Sequence, residues 1–207
     1  MVGERGIFIT FEGIDGSGKS THIRLLSREL RRRGYEVLRT TEPTNSRIGR
    51  LIRESIQDAS TRMPLRVEAL LFAADRLHHV KSLIEPALRE GKIVLSDRYI
   101  HSSIAYQGAG GLNQGWIRII NRYAPRADLS IYLDIPPEVA MKRMERRRKS
   151  VFEVLPLQQK IREIYLKLVR EGELLFIDGN RPVRAVQMDV RKVVFNLLKK
   201  RGLEAKP

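Results

Sequence analysis

Ile7-Phe8-Ile9-Thr10-Phe11-Glu12-Gly13-Ile14-Asp15-Gly16-Ser17-Gly18-Lys19-Ser20 passes from a β-branched and aromatic run through three glycines into a lysine and a serine. The run from Ile7 to Glu12 reads as a buried strand. The segment from Lys19 to Arg33 carries Ile23, Leu25, Leu26 and Leu30 at helical spacing and reads as a helix. A strand, a glycine-rich turn and a helix in that order aim bare backbone N–H groups at an anion beside a helix N-terminus. Lys19 can then reach the β- and γ-phosphates of a nucleoside triphosphate, and the Ser20 hydroxyl can hold Mg²⁺.

Outward from this stretch the chain alternates strands and helices. Strands are expected over Glu36–Thr40, Ile93–Ser96, Leu129–Leu133 and Leu174–Ile177. Helical patterns run over Ser46–Gln57, Pro64–Arg89 with a kink at Pro86, Ser102–Tyr106, Gln114–Tyr123, Pro137–Glu145, Pro156–Gly172 and Pro182–Lys200. Strands separated by helices cross over right-handed, which makes the fold class α/β, a three-layer arrangement with a five-stranded parallel sheet covered by helices on both faces. Ligands of such sheets lie outside the carboxyl ends of the strands, so residues 13–20, 41–43, 97–99, those from Asp134 onward and 178–181 should line one edge.

The 207 residues suit one domain spanning the whole chain, without a linker or internal repeat. No apolar run approaches the length of a membrane span and no signal-like segment opens the sequence, so a soluble, cytoplasmic protein is expected. The absence of cysteine excludes disulfides, thiolate metal sites and cysteine nucleophiles. A net charge of +15 invites a nucleic-acid reading. The cations are spread along the chain, however, and a basic surface equally suits an enzyme with polyanionic substrates. Of the two basic runs, Arg31–Arg33 reads as a solvated helix end. His78, His79 and His101 have no metal-ligand spacing around them, and Trp116 reads as a packing residue.

Asp97-Arg98-Tyr99, at the end of the third strand, narrows the chemistry. An aspartate there can take Mg²⁺ through its waters, and the arginine after it puts a bidentate cation beside a transferring phosphoryl group. A motor ATPase would be expected to carry a glutamate near this aspartate to polarise water, where this chain has Arg98 and Tyr99. With these residues the sequence resembles the thymidylate kinases, within the P-loop nucleoside monophosphate kinases. The resemblance is carried by Phe11–Thr21, Thr41-Glu42-Pro43, Leu70-Leu71-Phe72-Ala73-Ala74-Asp75-Arg76, and Ser96–Tyr99 followed by Ser102–Gly108, in family order across nearly the whole chain.

The resemblance implies the P-loop NTPase fold and an enzyme that moves the γ-phosphoryl of ATP to dTMP with Mg²⁺, catalysed by Lys19, Arg98, Asp97 and Arg147. It places ATP on Gly13, Ile14, Asp15, Gly16, Ser17, Gly18, Lys19, Ser20 and Thr21, with Arg143, Arg148, Asn180 and Arg181 beside it, and the metal at Ser20 and Asp97. It places dTMP on Asp15, Phe72, Arg76, Arg98, Ser103, Tyr106 and Gln107. Phe72 would stack on thymine, and Arg76 would donate to a base carbonyl. Asp15 would meet the 3′-hydroxyl, Arg98 the acceptor phosphate, and Tyr106 would crowd the 2′ position. Phe72 and Arg76 are four apart on the expected helix, so they share a face.

The second basic run, Arg146–Lys149, falls where the family carries a mobile lid, here about residues 143–153, whose arginines neutralise charge on the transferring group. The run lacks the glycine expected after its arginines, and Thr41 stands where an arginine is frequent, leaving Arg47 or Arg50 to substitute. A homodimer built on helices beside the sheet is expected from the family, with no nucleic-acid or membrane partner. The alternatives are a kinase of another nucleoside monophosphate such as dUMP and a nucleic-acid-stimulated ATPase.

Overall fold

A computed structural model of the chain describes residues 5–144, 152 and 154–203. Among these the strands are β1 (Phe8–Glu12), β2 (Val37–Thr41), β3 (Ile93–Asp97), β4 (Leu129–Asp134) and β5 (Leu175–Asp178). They form one parallel sheet in the order β2-β3-β1-β4-β5, with Phe11 in register with Asp97 on one side and Ile131 on the other. The helices are α1 (Lys19–Arg32), α2 (Arg47–Gln57), α3 (Leu65–His79), α4 (Glu85–Arg89), α5 (Ile100–Ala109), α6 (Gln114–Ile120), α7 (Pro137–Met144), α8 (Leu155–Arg170) and α9 (Val183–Lys200). The α/β expectation holds, with element ends shifted by a residue or two for most segments.

The two faces of β1 explain the layers, because successive side chains of a strand point to opposite sides. Ile7, Ile9 and Phe11 join a core with Ile23, Leu26 and Leu30 of α1 and Val186, Val190 and Val194 of α9. The alternate residues Phe8, Thr10 and Glu12 are also fully buried. On their side Phe8 packs with Val80, Ile84 and Tyr99, while α5 and α8 contribute Ile104, Ile161 and Tyr165 to a third cluster. The long helix expected over Pro64–Arg89 is interrupted ahead of its proline, by π-helical backbone over Val80–Ile84. Pro86 lacks the N–H that would bond to Ser82, and its ring crowds that carbonyl, so the irregularity accumulates in the preceding turn.

Candidate active site

The phosphate loop is shaped by glycines that no other residue could replace without movement. Gly13, Gly16 and Gly18 all have positive φ, and a Cβ on Gly13 or Gly16 would come within 2.8 Å of backbone oxygen, from Leu133 or Ala140. Lys19 opens α1 with its ammonium turned back into the loop, donating to the carbonyls of Gly13 and Ile14 at 3.0 Å each. Burial, reinforced by the Arg98 charge, pulls Lys19 down to about 8 against the opposing carboxylates of Asp97 and Asp15. Ser20 donates its hydroxyl to Asp97 at 2.6 Å, so the expected metal-site pair does meet at the end of β3.

The loop, Thr41, Asp97, Arg98, Arg143 and Arg181 line one cavity of about 690 Å³. Residues that are far apart in sequence thus converge at the carboxyl ends of the strands. Arg98 adopts φ 74°, a strained conformation for a side chain of this size, and its N–H is tied to the Phe11 carbonyl at 2.9 Å. Its guanidinium donates to Asp15 at 2.7 Å, to the Tyr106 hydroxyl at 2.8 Å and to Ser102 at 3.2 Å. Burial works against ionisation of Asp15, but the Arg98 and Lys19 charges outweigh it and hold the carboxyl at about 2. Asp15, Arg98 and Tyr106, assigned separately from sequence, therefore form one hydrogen-bonded cluster beside the phosphate loop.

A family model described as thymidylate kinase matches residues 11–190. The chain belongs to the thymidylate kinase family. It is 44% identical over 198 residues to the probable thymidylate kinase of Pyrococcus horikoshii, covering 92% of this chain and 96% of that protein. It is 46% identical over 206 residues to the probable thymidylate kinase of Thermococcus onnurineus, covering 94% and 100% respectively. Against the probable thymidylate kinase of Pyrobaculum aerophilum it is 46% identical over 188 residues, covering 90% and 95%. As a member of this family the protein is a nucleoside monophosphate kinase, a phosphotransferase, and the P-loop fold is the one its sheet order displays.

The remaining assigned residues are placed less uniformly. Phe72 and Arg76 share a face of α3, but Phe72 is half-buried and Arg76 is 1% exposed. The Arg76 guanidinium is held from several sides, donating to Glu42 at 2.9 Å, to Asn121, to the Tyr99 carbonyl and to Ser103. Ser103, expected at a base edge, is itself buried and accepts from Arg76. Gln107 is buried with its side-chain oxygen unpaired. On the donor side, Arg143 reaches the Gly16 carbonyl at 3.3 Å and Thr21 lines the cavity. Arg181 lines it too, while its neighbour Asn180 is exposed and donates its backbone N–H to Asp178. Arg147, Arg148 and most of the expected lid lie outside the described residues. Arg50, a suggested substitute at the Thr41 position, instead donates to the Asn45 carbonyl.

Several residues that hold this site went unassigned from sequence. Asp75 accepts from the Thr44 N–H, the Thr44 hydroxyl and the Ser46 hydroxyl, tying the segment after Pro43 to α3. Arg53 donates to the Pro43 and Thr44 carbonyls from the other side. His79, read as needing no role, lies buried with Nδ1 3.0 Å from Glu42 and Nε2 2.6 Å from the Thr40 hydroxyl, so it braces the carboxylate that holds Arg76. His101 likewise stands between Glu12 and Glu173, at 3.9 and 3.5 Å. The available signal was charge inside apolar runs, since Glu12 and Asp75 fall at positions a strand or helix buries, and a buried carboxylate requires partners; Glu42, in the turn after β2, carried no such signal.

Proposed function

We propose that the protein transfers the γ-phosphoryl of ATP to the 5′-phosphate of dTMP, giving dTDP and ADP. The observation that carries this reading is the meeting of the phosphate loop with Asp15 and Arg98 on one cavity, with Tyr106 bonded to both from behind it. Two anionic nucleotides can approach end to end there. The acceptor phosphate is itself the nucleophile, so catalysis reduces to positioning and charge neutralisation. Lys19 leaves its carbonyl partners for the donor's β- and γ-oxygens. The outer Nη2 of Arg98 exchanges Asp15 for the acceptor phosphate, which releases Asp15 for the sugar 3′-hydroxyl. Tyr106, packed against Arg98, closes the space a 2′-hydroxyl would need. Phe72 supplies an aromatic plane for thymine and Arg76 a rigid donor, and Arg143, Arg147, Arg148, Asn180 and Arg181 surround the donor nucleotide.

The oxygen-only pair Ser20 and Asp97 suits Mg²⁺, a hard cation that keeps most of its waters and takes substrate phosphates as ligands. Ser20 and Asp97 would hold the ion, which would supply positive charge to offset that of the transferring phosphoryl group. Among the described residues no group of three or more His, Asp or Glu side chains could hold a metal ion. We further propose a homodimer, working in the cytoplasm. Its support is the stripe Val67, Leu70, Ala74 and Leu77, exposed along α3 on a coiled-coil-like spacing.

Purified protein given ATP and Mg²⁺ should phosphorylate dTMP faster than dUMP, dCMP, dGMP or AMP. A preference for AMP would overturn the roles given to Phe72 and Arg76, and ATP hydrolysis that depends on added DNA or RNA would favour the ATPase alternative.

A further inference from the structure

Glu12 occupies a position where an apolar residue would serve stability better. It is the last residue of β1, on the Phe8–Thr10 side of the strand, and it is fully buried against α5 and α8. Exchanging a buried ionic group for a packed apolar one is often neutral or stabilising, so a carboxylate here needs a reason beyond stability. Its contacts supply one. Oε2 accepts the Ser102 hydroxyl at 2.6 Å, and the same Ser102 oxygen lies 2.9 Å from the Tyr165 hydroxyl and 3.2 Å from Nη1 of Arg98. A serine hydroxyl has one proton and two acceptor sites, and here all three are used. An ionised Glu12 can only accept, so it draws the Ser102 proton toward itself and leaves the oxygen's lone pairs facing Arg98 and Tyr165.

We propose that Glu12 is a positioning residue for Arg98, acting through Ser102. The proposal rests on the reading of Arg98 as the residue that holds the acceptor phosphate. The guanidinium is gripped along its inner edge, Nη1 to Ser102 and the Gly13 carbonyl, while Nη2 points outward to Asp15 and Tyr106 beside the cavity. When Nη2 exchanges Asp15 for a phosphate, the inner edge keeps its partners. The fork therefore stays oriented during the exchange. Oε1 of Glu12 has no hydrogen-bond partner and lies 3.9 Å from Nδ1 of His101; burial pushes the carboxyl up from its usual range, while the His101 charge, the Ser102 hydrogen bond and the Arg98 charge favour its ionised form.

The test is a double-mutant cycle on the full chain, reading kcat, the KM for each nucleotide and the melting temperature. Glu12→Gln keeps the shape and removes the charge, and Ser102→Ala breaks the relay from its other end. Each should lower kcat for dTMP phosphorylation by roughly tenfold, the worth of one charge-assisted hydrogen bond, with the KM for ATP unchanged. The double variant should be no worse than either single one. In an Arg98→Ala background Glu12→Gln should cause no further loss of the residual turnover. A full additional loss in that background, or an unchanged kcat in Glu12→Gln while Arg98→Ala is crippled, overturns the relay and leaves the role of Arg98 standing. Near-normal turnover in Arg98→Ala overturns both together.

Discussion

Arg98 and Lys19 are the residues on which the proposed chemistry turns, and each makes a prediction of its own. Arg98 carries a left-handed backbone that few side chains tolerate, held by hydrogen bonds on every side. Such strain persists only where the surroundings over-determine it, and it clusters at functional sites. Arg98→Ala should lower kcat on the order of a thousandfold while the circular dichroism spectrum stays native, and Lys19→Ala should behave alike. Lys19 also sets a pH dependence. Its ammonium titrates at about 8 in the nucleotide-free protein, and a polyphosphate binds the protonated form. Below that value the proton is already present. Above it a proton must be taken up on binding, so ATP affinity should fall about tenfold per pH unit. Calorimetry in two buffers of different ionisation enthalpy would detect the proton uptake, and an affinity that is flat across this range would contradict the assignment.

At the scale of elements, the segment between β2 and α2 is clamped more tightly than its lack of regular structure suggests. Ser46 caps α2 by accepting from Gly49 N–H at 3.0 Å and donates its own proton to Asp75. Gly49 then lets the first turn of α2 pass so close to Thr44 that a Cβ would lie 2.0 Å from its carbonyl oxygen. Gly49→Ala must therefore push the helix off this segment. The expected cost is about 1–3 kcal/mol, measured as a lower urea midpoint, together with a higher KM for dTMP because Glu42 and Arg76 would be disturbed. An unaltered midpoint would mean that the helix start yields freely. The helix carrying Phe72 and Arg76 shows the same division of labour, with one face turned to the site and the opposite one bearing the exposed stripe.

For the whole molecule, that stripe is where assembly should be decided. Leu70, half exposed at its centre, is the natural place to test it: Leu70→Glu should sediment as a monomer where the parent sediments as a dimer, with the melting temperature lowered. Equal sedimentation of the two would remove α3 from the interface. The basic balance of the chain belongs to this scale as well, since many arginines are held by internal partners: Arg76 by Glu42, Arg98 by Asp15, Arg162 by Asp134 and Arg118 by Glu173. Each such pair cancels one cation against one anion, so the net charge of +15 is left as it is, and a basic surface suits polyanionic nucleotides as well as nucleic acid. The layered sheet and the phosphate loop were legible from residue order alone, because periodicity and glycine placement are local properties that a strand, a tight turn and a helix N-terminus impose directly, and the nearness of Asp97 to the loop followed from its place at a strand's carboxyl end. The partners of Arg76 and Arg98 were not. Glu42, Ser102 and Asn121 reach those arginines from three separate segments, Glu12 adding itself through Ser102, and only the packing of sheet against helices brings these side chains within bonding distance. A buried charge announces in sequence that it must be matched, whereas which group matches it is settled by the tertiary fold.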